Sequence, residues 1–266
     1  MYFLNKFFNY NWYNFPFGNK PRETRETYLR LAEKAKNQKY PEIASYEKHR
    51  GFTIDRFWLD ELALHTQITI KKSELCYAHG RVLYTCLSEY LSKYTKLNER
   101  INIFETGTAR GFSSLCMAKA LEDQNRSGLI LTFDNLPHST KMFWNSIDDF
   151  EGPKSRSELL SSWKNLMQNY IVFLQGDTLI ELEKVEVERI NFCFLDGSHT
   201  YKDVMFEFKK VKDKQLSGDI IVYDDYTPGQ FSGIVKAVDE ICEKYNYDRI
   251  DLKSSRKRGY VIAIKK

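Results

Sequence analysis

The stretch Glu105-Thr106-Gly107-Thr108-Ala109-Arg110-Gly111-Phe112-Ser113 follows directly on an apolar run over residues 101–104. This order predicts a β-strand that turns sharply into an α-helix, because Gly107 permits a tight turn and Gly111 lets the backbone approach a ligand closely. The amide groups at the helix N-terminus would then face a bound polar group. The stretch is typical of a nucleotide-cofactor site, although an ordinary strand-to-helix turn would show the same glycine spacing.

Acidic residues follow the next two apolar runs along the chain. Asp134 and Asn135 follow residues 129–133, and Gly176 and Asp177 come shortly after residues 171–174. The second strand would thus deliver a carboxylate to ribose hydroxyls. A dinucleotide-binding turn needs a glycine where Ala109 stands, and a carboxylate beside the turn would repel a pyrophosphate. The pattern therefore favours a cationic, hydroxyl-bearing ligand such as S-adenosylmethionine.

A second group of acids follows two further apolar runs. Residues 190–195 end in Asp196-Gly197-Ser198-His199, and residues 220–223 end in Asp224-Asp225. If these strands are neighbours, three carboxylates meet where open α/β sheets bind ligands, and oxygen ligands of this kind suit Mg²⁺, Mn²⁺ or Ca²⁺. Singly, each acid is more often a turn or helix-capping residue. His199 is either a structural residue at a helix start or a general base for a substrate hydroxyl.

Strand and helix patterns alternate beyond residue 101 and predict a mainly parallel sheet with helices on both faces. Strands are predicted near 101–105, 129–134, 171–175, 189–196, 219–224, 247–252 and 259–265. Helices are predicted near 22–36 and 72–94, with a loop near Pro41. His79 and Arg81 are interpreted as surface or capping residues. Residues 1–70 are predicted to form an N-terminal extension with helices, packed on a main domain of residues 71–266.

Composition narrows the function classes. The 266 residues carry a net charge of +4 without an extended basic block, which disfavours nucleic acid and favours a small-molecule substrate. Five scattered cysteines without metal-ligand spacing predict reduced thiols and a cytoplasmic location. The aromatic segment 1–17 is interrupted by asparagines, so no signal peptide or membrane span is predicted. It is interpreted as a homodimer contact, a membrane-surface anchor, a flap over the site, or a segment packed on its own domain.

Together, these motifs resemble class I S-adenosylmethionine-dependent methyltransferases. The segments Glu105–Ser113, Asp134, Gly176-Asp177, Asp196-Gly197-Ser198-His199-Thr200-Tyr201 and Asp224-Asp225-Tyr226 carry the resemblance. Within that class they are similar to the metal-dependent O-methyltransferases, in the branch of macrolide-sugar O-methyltransferases and the so-called cephalosporin hydroxylase proteins. The resemblance spans roughly residues 70–266.

The resemblance implies a Rossmann-like seven-stranded α/β sheet with strand order 3-2-1-4-5-7-6 and an antiparallel last strand. It implies that Glu105, Gly107 and Gly111 line the methionine and ribose end of S-adenosylmethionine, that Asp134 binds the ribose, and that Asp177 approaches the adenine. It further implies that Asp196, Asp224 and Asp225 hold Mg²⁺ or another divalent cation. The full set of predicted cofactor contacts is Glu105, Thr106, Gly107, Thr108, Gly111, Ser113, Asp134, Asn135, Gly176, Asp177 and Asp196.

The expected reaction is methyl transfer to a hydroxyl, with His199 as the general base and Asp196 as the fallback. Catechol-type relatives carry a lysine at the position of His199. The branch favours a sugar or glycosylated acceptor, and the alternative acceptors are a catechol-like diol and a nucleic acid. The remaining alternative is that the protein binds a nucleotide without catalysing a reaction. The predicted acceptor contacts are Tyr226, the loop 136–156 and the basic turn Arg256-Lys257-Arg258.

Overall fold

The computed structural model describes residues 16–93, 99–255 and 258–266. Helices that precede the sheet in the chain are α1 (Arg25–Lys36), α2 (Pro41–Arg50), α3 (Arg56–Thr66) and α4 (Ala78–Ser92). The later helices are α5 (Phe112–Asp123), α6 (Arg156–Leu159), α7 (Lys164–Tyr170), α8 (Thr178–Lys184), α9 (Tyr201–Lys212) and α10 (Ser232–Lys244). Short 3₁₀ helices span Ile147–Glu151 and Ser161–Trp163.

Seven strands form one sheet in the order β3-β2-β1-β4-β5-β7-β6. Their bounds are β1 (Ile101–Thr106), β2 (Gly128–Asp134), β3 (Ile171–Gln175), β4 (Phe192–Leu195), β5 (Ile220–Tyr223), β6 (Tyr247–Ser255) and β7 (Arg258–Lys265). Strands β1 to β5 pair in parallel, and β7 runs antiparallel to both β5 and β6. The predicted strand order and the antiparallel last strand are confirmed.

The register of the central strands aligns the predicted site at one edge. Thr106 pairs with Leu195, and Leu195 pairs with Tyr223. The residues that follow these three positions therefore emerge side by side at the carboxyl ends of β1, β4 and β5. The strand order reverses between β1 and β4, and open α/β sheets bind their ligands at such a point.

Helices cover both faces of the sheet, as predicted, and each face has its own apolar core. One core joins the N-terminal helices to α4 and α5, and the other lies beneath α9 and α10. Gly80 allows the close contact of α4 with α5, because a Cβ at Gly80 would lie 2.7 Å from the Phe112 ring. The N-terminal helices also contact the far end of the sheet, where the Lys253 amide donates to Glu42 over 2.8 Å. The domain boundary near residue 70 stays a prediction.

Local chemistry explains where two of the N-terminal helices begin and end. The Thr24 hydroxyl accepts the Thr27 amide at 3.3 Å and caps α1. Pro41 occupies the first turn of α2, where its missing N–H leaves no helical hydrogen bond unmade, and Gly51 closes α2 with φ +79°. The loop predicted near Pro41 is confirmed over residues 37–40, and Pro41 itself begins the next helix.

Three further expectations need correction. The helix predicted over 72–94 begins only at Ala78, and the preceding residues form an irregular segment. His79 and Arg81 are buried, with 6% and 7% of their surface exposed, so neither is a surface residue. Arg81 is buried because its guanidinium forms an ion pair with Glu47 of α2, and His79 lies against Phe112 at 4.8 Å between ring centroids. Four of the five free cysteines are buried, which agrees with their prediction as core thiols.

The long connection after β2 packs against the rest of the protein. Trp144 is fully buried, and its indole N–H donates to the Lys154 carbonyl at 2.8 Å. Asn145 accepts a hydrogen bond of 3.1 Å from the Tyr28 hydroxyl of α1. These contacts anchor the connection to the N-terminal helices. None of the described helices combines the length and apolarity that a membrane crossing requires.

Candidate active site

The turn after β1 has the backbone conformation that the glycines predict. Gly107 and Gly111 adopt φ +89° and +88°, and Ala109 between them adopts φ +47°. A Cβ at Gly107 would lie 2.6 Å from the Asp196 carbonyl oxygen, so the turn runs directly against the end of β4. Only a glycine fits at that position without displacing backbone. The two halves of the predicted site are thereby joined.

Glu105 lies beneath this turn and is completely buried. Its two carboxylate oxygens accept hydrogen bonds from the hydroxyls of Ser113 and Ser114 at the start of α5. Burial raises the pKa of Glu105, and the serine hydroxyls oppose that rise. The carboxylate thus braces the helix N-terminus against β1. Its predicted direct contact with a cofactor stays a prediction, as does the one for Ser113.

Asp134 at the end of β2 braces the same turn from the other side. One carboxylate oxygen accepts the Ala109 amide at 2.5 Å and the other accepts the Leu136 amide at 2.6 Å. Asn135 beside it is exposed, and the Thr108 hydroxyl bonds to that of Thr132 at 2.5 Å. Asp134 is therefore at the position expected for a ribose-binding carboxylate, with its oxygens engaged by backbone amides.

The third strand end contributes Gly176 and Asp177. The Gly176 amide donates to the Asp134 carbonyl at 2.9 Å, which ties this turn to the preceding one. Asp177 is exposed and caps α8, accepting the Leu179 amide at 2.9 Å. The capping role was the structural alternative for such acids, and the adenine contact stays a prediction.

Asp196, Asp224 and Asp225 follow the adjacent strands β4 and β5, as the motif predicted. Asp225 has a left-handed backbone with φ +55°, a conformation that is uncommon outside glycine and is often found at functional sites. Desolvation and the neighbouring Asp224 carboxylate raise the pKa of Asp196 well above its ordinary value. The carboxylates therefore form the electronegative group that the sequence indicated.

Asp224 has a cationic partner that the sequence analysis missed. Its fully buried side chain forms an ion pair with Arg258 of β7, in which Nε lies 3.2 Å from Oδ1 and Nη2 bonds to Oδ2. Burial alone would raise the pKa of Asp224, but Arg258 outweighs it and the pKa is lowered. Arg258 reaches this place because β7 lies beside β5, and a Cβ at Gly259 would be only 2.5 Å from the Tyr226 carbonyl oxygen. No local pattern signals a contact between residues this far apart in the chain.

His199 lies opposite Asp225, with 3.0 Å between Nε2 and Oδ2. This hydrogen bond raises the pKa of His199. Because an ionised carboxylate only accepts, Nε2 must carry the hydrogen, and in the neutral ring Nδ1 holds the lone pair. The ring also packs against Phe231 at 4.7 Å between centroids. His199 is 44% exposed, so a substrate can reach it.

The donor atoms that lie closest together differ from the predicted set. One ligand atom each of Asp196, His199 and Asp225 lies within 4.8 Å of the others. Asp224 is outside this group because Arg258 holds its carboxylate. Two carboxylates and an imidazole are a suitable donor set for a divalent cation. The three-carboxylate site stays a prediction, and the structure brings His199 into the place of the third acid.

The predicted acceptor contacts are only partly brought together. Tyr226 donates its hydroxyl to Asp239 at 2.7 Å, and the connection 136–156 packs on the N-terminal helices. Within the basic turn, Arg258 pairs with Asp224, while residues 256 and 257 lie outside the described residues. The aromatic segment 1–17 also lies almost wholly outside them.

Glu207 is a buried acid that the sequence analysis missed. It lies on α9, is 1% exposed, and accepts a hydrogen bond from the Thr106 hydroxyl at 3.2 Å. The same hydroxyl accepts the Gly197 amide at 3.1 Å. Burial raises the pKa of Glu207 to about 8. Thr106 is thus a bracing residue between β1 and β4, and its predicted cofactor contact stays a prediction.

The class I methyltransferase fold has a sheet ordered 3-2-1-4-5-7-6, with a glycine turn after β1 and acids at the ends of β2, β4 and β5. The structure has all of these features. Residues 104–226 match the family model of a methyltransferase domain. The sheet therefore has the class I methyltransferase fold. No curated protein sequence matches it significantly.

Solved structures share the fold at low sequence identity. The O-methyltransferase NovP is 15% identical, with 79% of this chain and 98% of that chain covered and a TM-score of 0.57. The O-methyltransferase TomG from Streptomyces achromogenes, in complex with SAM, is 13% identical over 81% and 92% of the chains, with a TM-score of 0.52. The SAH-bound methyltransferase PaMTH1 from Podospora anserina is 13% identical over 94% and 99%, with a TM-score of 0.51.

Proposed function

We propose that this protein transfers the methyl group of S-adenosylmethionine to a hydroxyl of a small molecule, with the help of a divalent cation. The observation that carries the proposal is the contact between the Gly107 turn and Asp196, which brings the candidate cofactor cradle against the Asp196, His199 and Asp225 cluster. Donor and acceptor would then meet at one edge of the sheet. The solved O-methyltransferases of the same fold support this proposal.

The chain's own residues suit a cationic nucleoside cofactor. Gly107 and Gly111 give the turn its positive φ, and the amides that open α5 would bind a polar group placed beside the turn. Asp134 supplies the carboxylate beside the turn for ribose hydroxyls. S-adenosylmethionine, when bound, supplies an electrophilic methyl group on a sulfonium. Glu105 would act indirectly, by holding the turn in shape.

A divalent cation fits the carboxylates of Asp196 and Asp225, whereas His199, as the proposed base, keeps its Nδ1 lone pair free of the metal. Asp196 shows why a cation is favourable here, since burial and then the nearby negative charge raise its pKa well above the ordinary value. When bound, the cation supplies positive charge beside the acceptor oxygen and lowers the pKa of its hydroxyl. Asp224 would join the ligands only if it exchanged Arg258 for the metal.

His199 is the proposed general base. Asp225 holds its Nε2–H, which leaves Nδ1 to take the proton of the acceptor hydroxyl. Because the same hydrogen bond raises the pKa of His199, a larger fraction of the imidazole is protonated at neutral pH than in free histidine. Asp196 is the alternative base. Holding both reactants at the sheet edge would supply much of the rate acceleration.

A sugar or glycosylated metabolite is the proposed acceptor class, since a diol offers two oxygens near one cation. The net charge of +4 on 266 residues gives no basic surface of the kind that nucleic-acid methylation requires. A catechol-like diol would use the same donors, so acceptor screens should include both. A homodimer stays a prediction, which a measurement of the molecular mass in solution would test.

The first test is calorimetric titration of S-adenosylhomocysteine into the wild-type protein. Binding is expected, and its absence in a folded protein would refute the proposed cofactor. Mn²⁺ titration then compares the wild type with Asp225→Asn and with Asp239→Asn, a control acid outside the cluster. Loss of Mn²⁺ binding in Asp225→Asn alone is expected, and equal binding in all three proteins would refute the cation site.

Methyl transfer from radiolabelled S-adenosylmethionine to a panel of sugars and diols tests the reaction itself. His199→Gln should lower the turnover rate by roughly 10²- to 10⁴-fold, the range for a general base. Its affinity for S-adenosylhomocysteine should not change. Turnover equal to that of the wild type would refute His199 as the base.

A further inference from the structure

A large cavity opens beside the proposed catalytic cluster. It has a volume of about 1110 Å³ and is lined from one side by the N-terminal part of the chain and from the other by residues 225–231 and the end of β6. Asp225, Arg258 and Phe231 form the wall nearest the cluster. The Phe231 ring also packs against His199, so this end of the cavity lies next to the proposed base.

The cavity wall carries an excess of positive charge. Lys39, Lys71 and Lys72 line it, and none of them has an ion pair within residues 16–93, 99–255 and 258–266. The two acids of the wall are already engaged. Asp225 faces His199, and Glu74 accepts a hydrogen bond from Gln38 at 3.2 Å. Three ammonium groups are therefore available to a ligand.

Lys71 is the lysine best placed to act. Its side chain is open to solvent, yet surrounding protein atoms desolvate it and Arg258 repels it, so its pKa is lowered. Its charge is thus incompletely compensated by the protein. A bound anion would relieve both effects, because opposite charge stabilises the ammonium form.

The chemistry of the wall suits a multiply charged anion such as phosphate. Lysine ammonium groups bind phosphate as point charges, and a phosphate or diphosphate carries more negative charge than a single carboxylate, which matches several lysines on one wall. The only arginine of the described wall, Arg258, is committed to Asp224. Ser254 and Gln230 add polar groups that can bind phosphate oxygens.

We propose that the acceptor carries a phosphate or diphosphate group that binds Lys71 and Lys72, with Lys39 close by on the same wall. This inference rests on the proposed methyl transfer and names its substrate class. The cavity exceeds the usual 300–1,000 Å³ of small-ligand pockets, so it has room for a sugar together with a phosphate-bearing group. The sugar end would reach His199 and the phosphate end would lie among the lysines.

Calorimetric titration with inorganic phosphate and inorganic diphosphate tests the proposal. A chelator is present so that neither anion binds through a metal. The variant is Lys71→Gln combined with Lys72→Gln, and the matched control is Lys209→Gln, an exposed lysine of α9 that does not line the cavity. Diphosphate should bind the wild type and the control alike, and at least about tenfold more weakly to the double variant, the expected loss for charge-assisted hydrogen bonds. Tighter binding of diphosphate than of phosphate would point to a diphosphate-linked acceptor.

Equal diphosphate affinity in the double variant and the wild type would overturn the proposal, and so would no binding to the wild type. Replacement of both lysines by arginine should preserve binding, which separates lost charge from lost folding. S-adenosylhomocysteine titrated into the same proteins separates the two levels of the argument. If it binds while diphosphate does not, only the phosphate inference fails, and if it fails to bind the wild type, the proposed function fails.

Discussion

The ion pair between Arg258 and Asp224 determines how the carboxylate cluster is neutralised, and Arg258→Met tests it. The Asp224 side chain is completely buried, and with methionine at position 258 it would keep only the Asp225 amide, at 2.6 Å. Removal of one partner of a buried ion pair costs about 3–5 kcal/mol, because the other charge is left uncompensated. For a chain of this size the midpoint of thermal unfolding should fall by roughly 6–20 °C.

The opposite substitution should cost less. In Asp224→Asn the guanidinium remains 21% exposed and lies 3.7 Å from Asp225, so it keeps solvent and a second carboxylate. In the double variant both charges are gone, so its loss of unfolding free energy should be smaller than the sum of the single losses. Urea denaturation with chelator present gives the three values.

The urea denaturation is compared with a control variant and is repeated with Mn²⁺ present. Arg249→Met removes more exposed pairs with Asp239 and Asp251, and each such pair is worth about 0–1 kcal/mol. If Arg258→Met destabilises the protein no more than this control, the structural role of the pair is wrong. Mn²⁺ should stabilise Arg258→Met more than the wild type, because the freed Asp224 can then act as a ligand. Equal stabilisation by Mn²⁺ would refute that exchange.

Three further outcomes are expected. Gly107→Ala should weaken S-adenosylhomocysteine binding by at least about tenfold, because the new Cβ would lie 2.6 Å from backbone and the backbone at φ +89° is strained for alanine. The control Gly51→Ala has a similar φ of +79° but no neighbour within 4 Å, so it should leave binding unchanged. Burial raises the folded-state pKa of Glu207 from 4.5 to about 8, so its contribution to stability is complete below pH 4.5 and is lost as the pH rises to about 8. Glu207→Gln should remove this loss, which amounts to a few kcal/mol at about 1.4 kcal/mol per pH unit. If the unfolding free energy from urea denaturation changes with pH equally in both proteins, the assignment is wrong. Trp144→Ala should cost about 3–5 kcal/mol of unfolding free energy because the 136–156 connection is packed around it, and a loss below about 1 kcal/mol would contradict that packing.

Local sequence patterns carried the strand assignments well. The runs that became β1, β2 and β3 were predicted to within one residue at each end, because apolar residues bounded by glycine or acid at a strand end mark both its burial and its stop. The loop near Pro41 was predicted correctly, but the helix that Pro41 begins was not, because proline favours both loops and first helical turns. That helix packs against β6, a contact that no short window contains.

The sequence by itself determined the class of fold and the edge at which the site lies. Chain connectivity alone delivers four residues to the carboxyl ends of the sheet, because Asp134 ends a strand and a strand is followed directly by each of Gly107, Asp196 and Asp224. Tertiary structure alone decided which charges meet there. Arg258 was paired with Asp224 by the antiparallel packing of β7 on β5, and the Lys71 segment was brought to the cavity by the N-terminal helices. The physical reason is that periodicity acts between neighbours in the chain, whereas ion pairs depend on distances that only the folded packing sets.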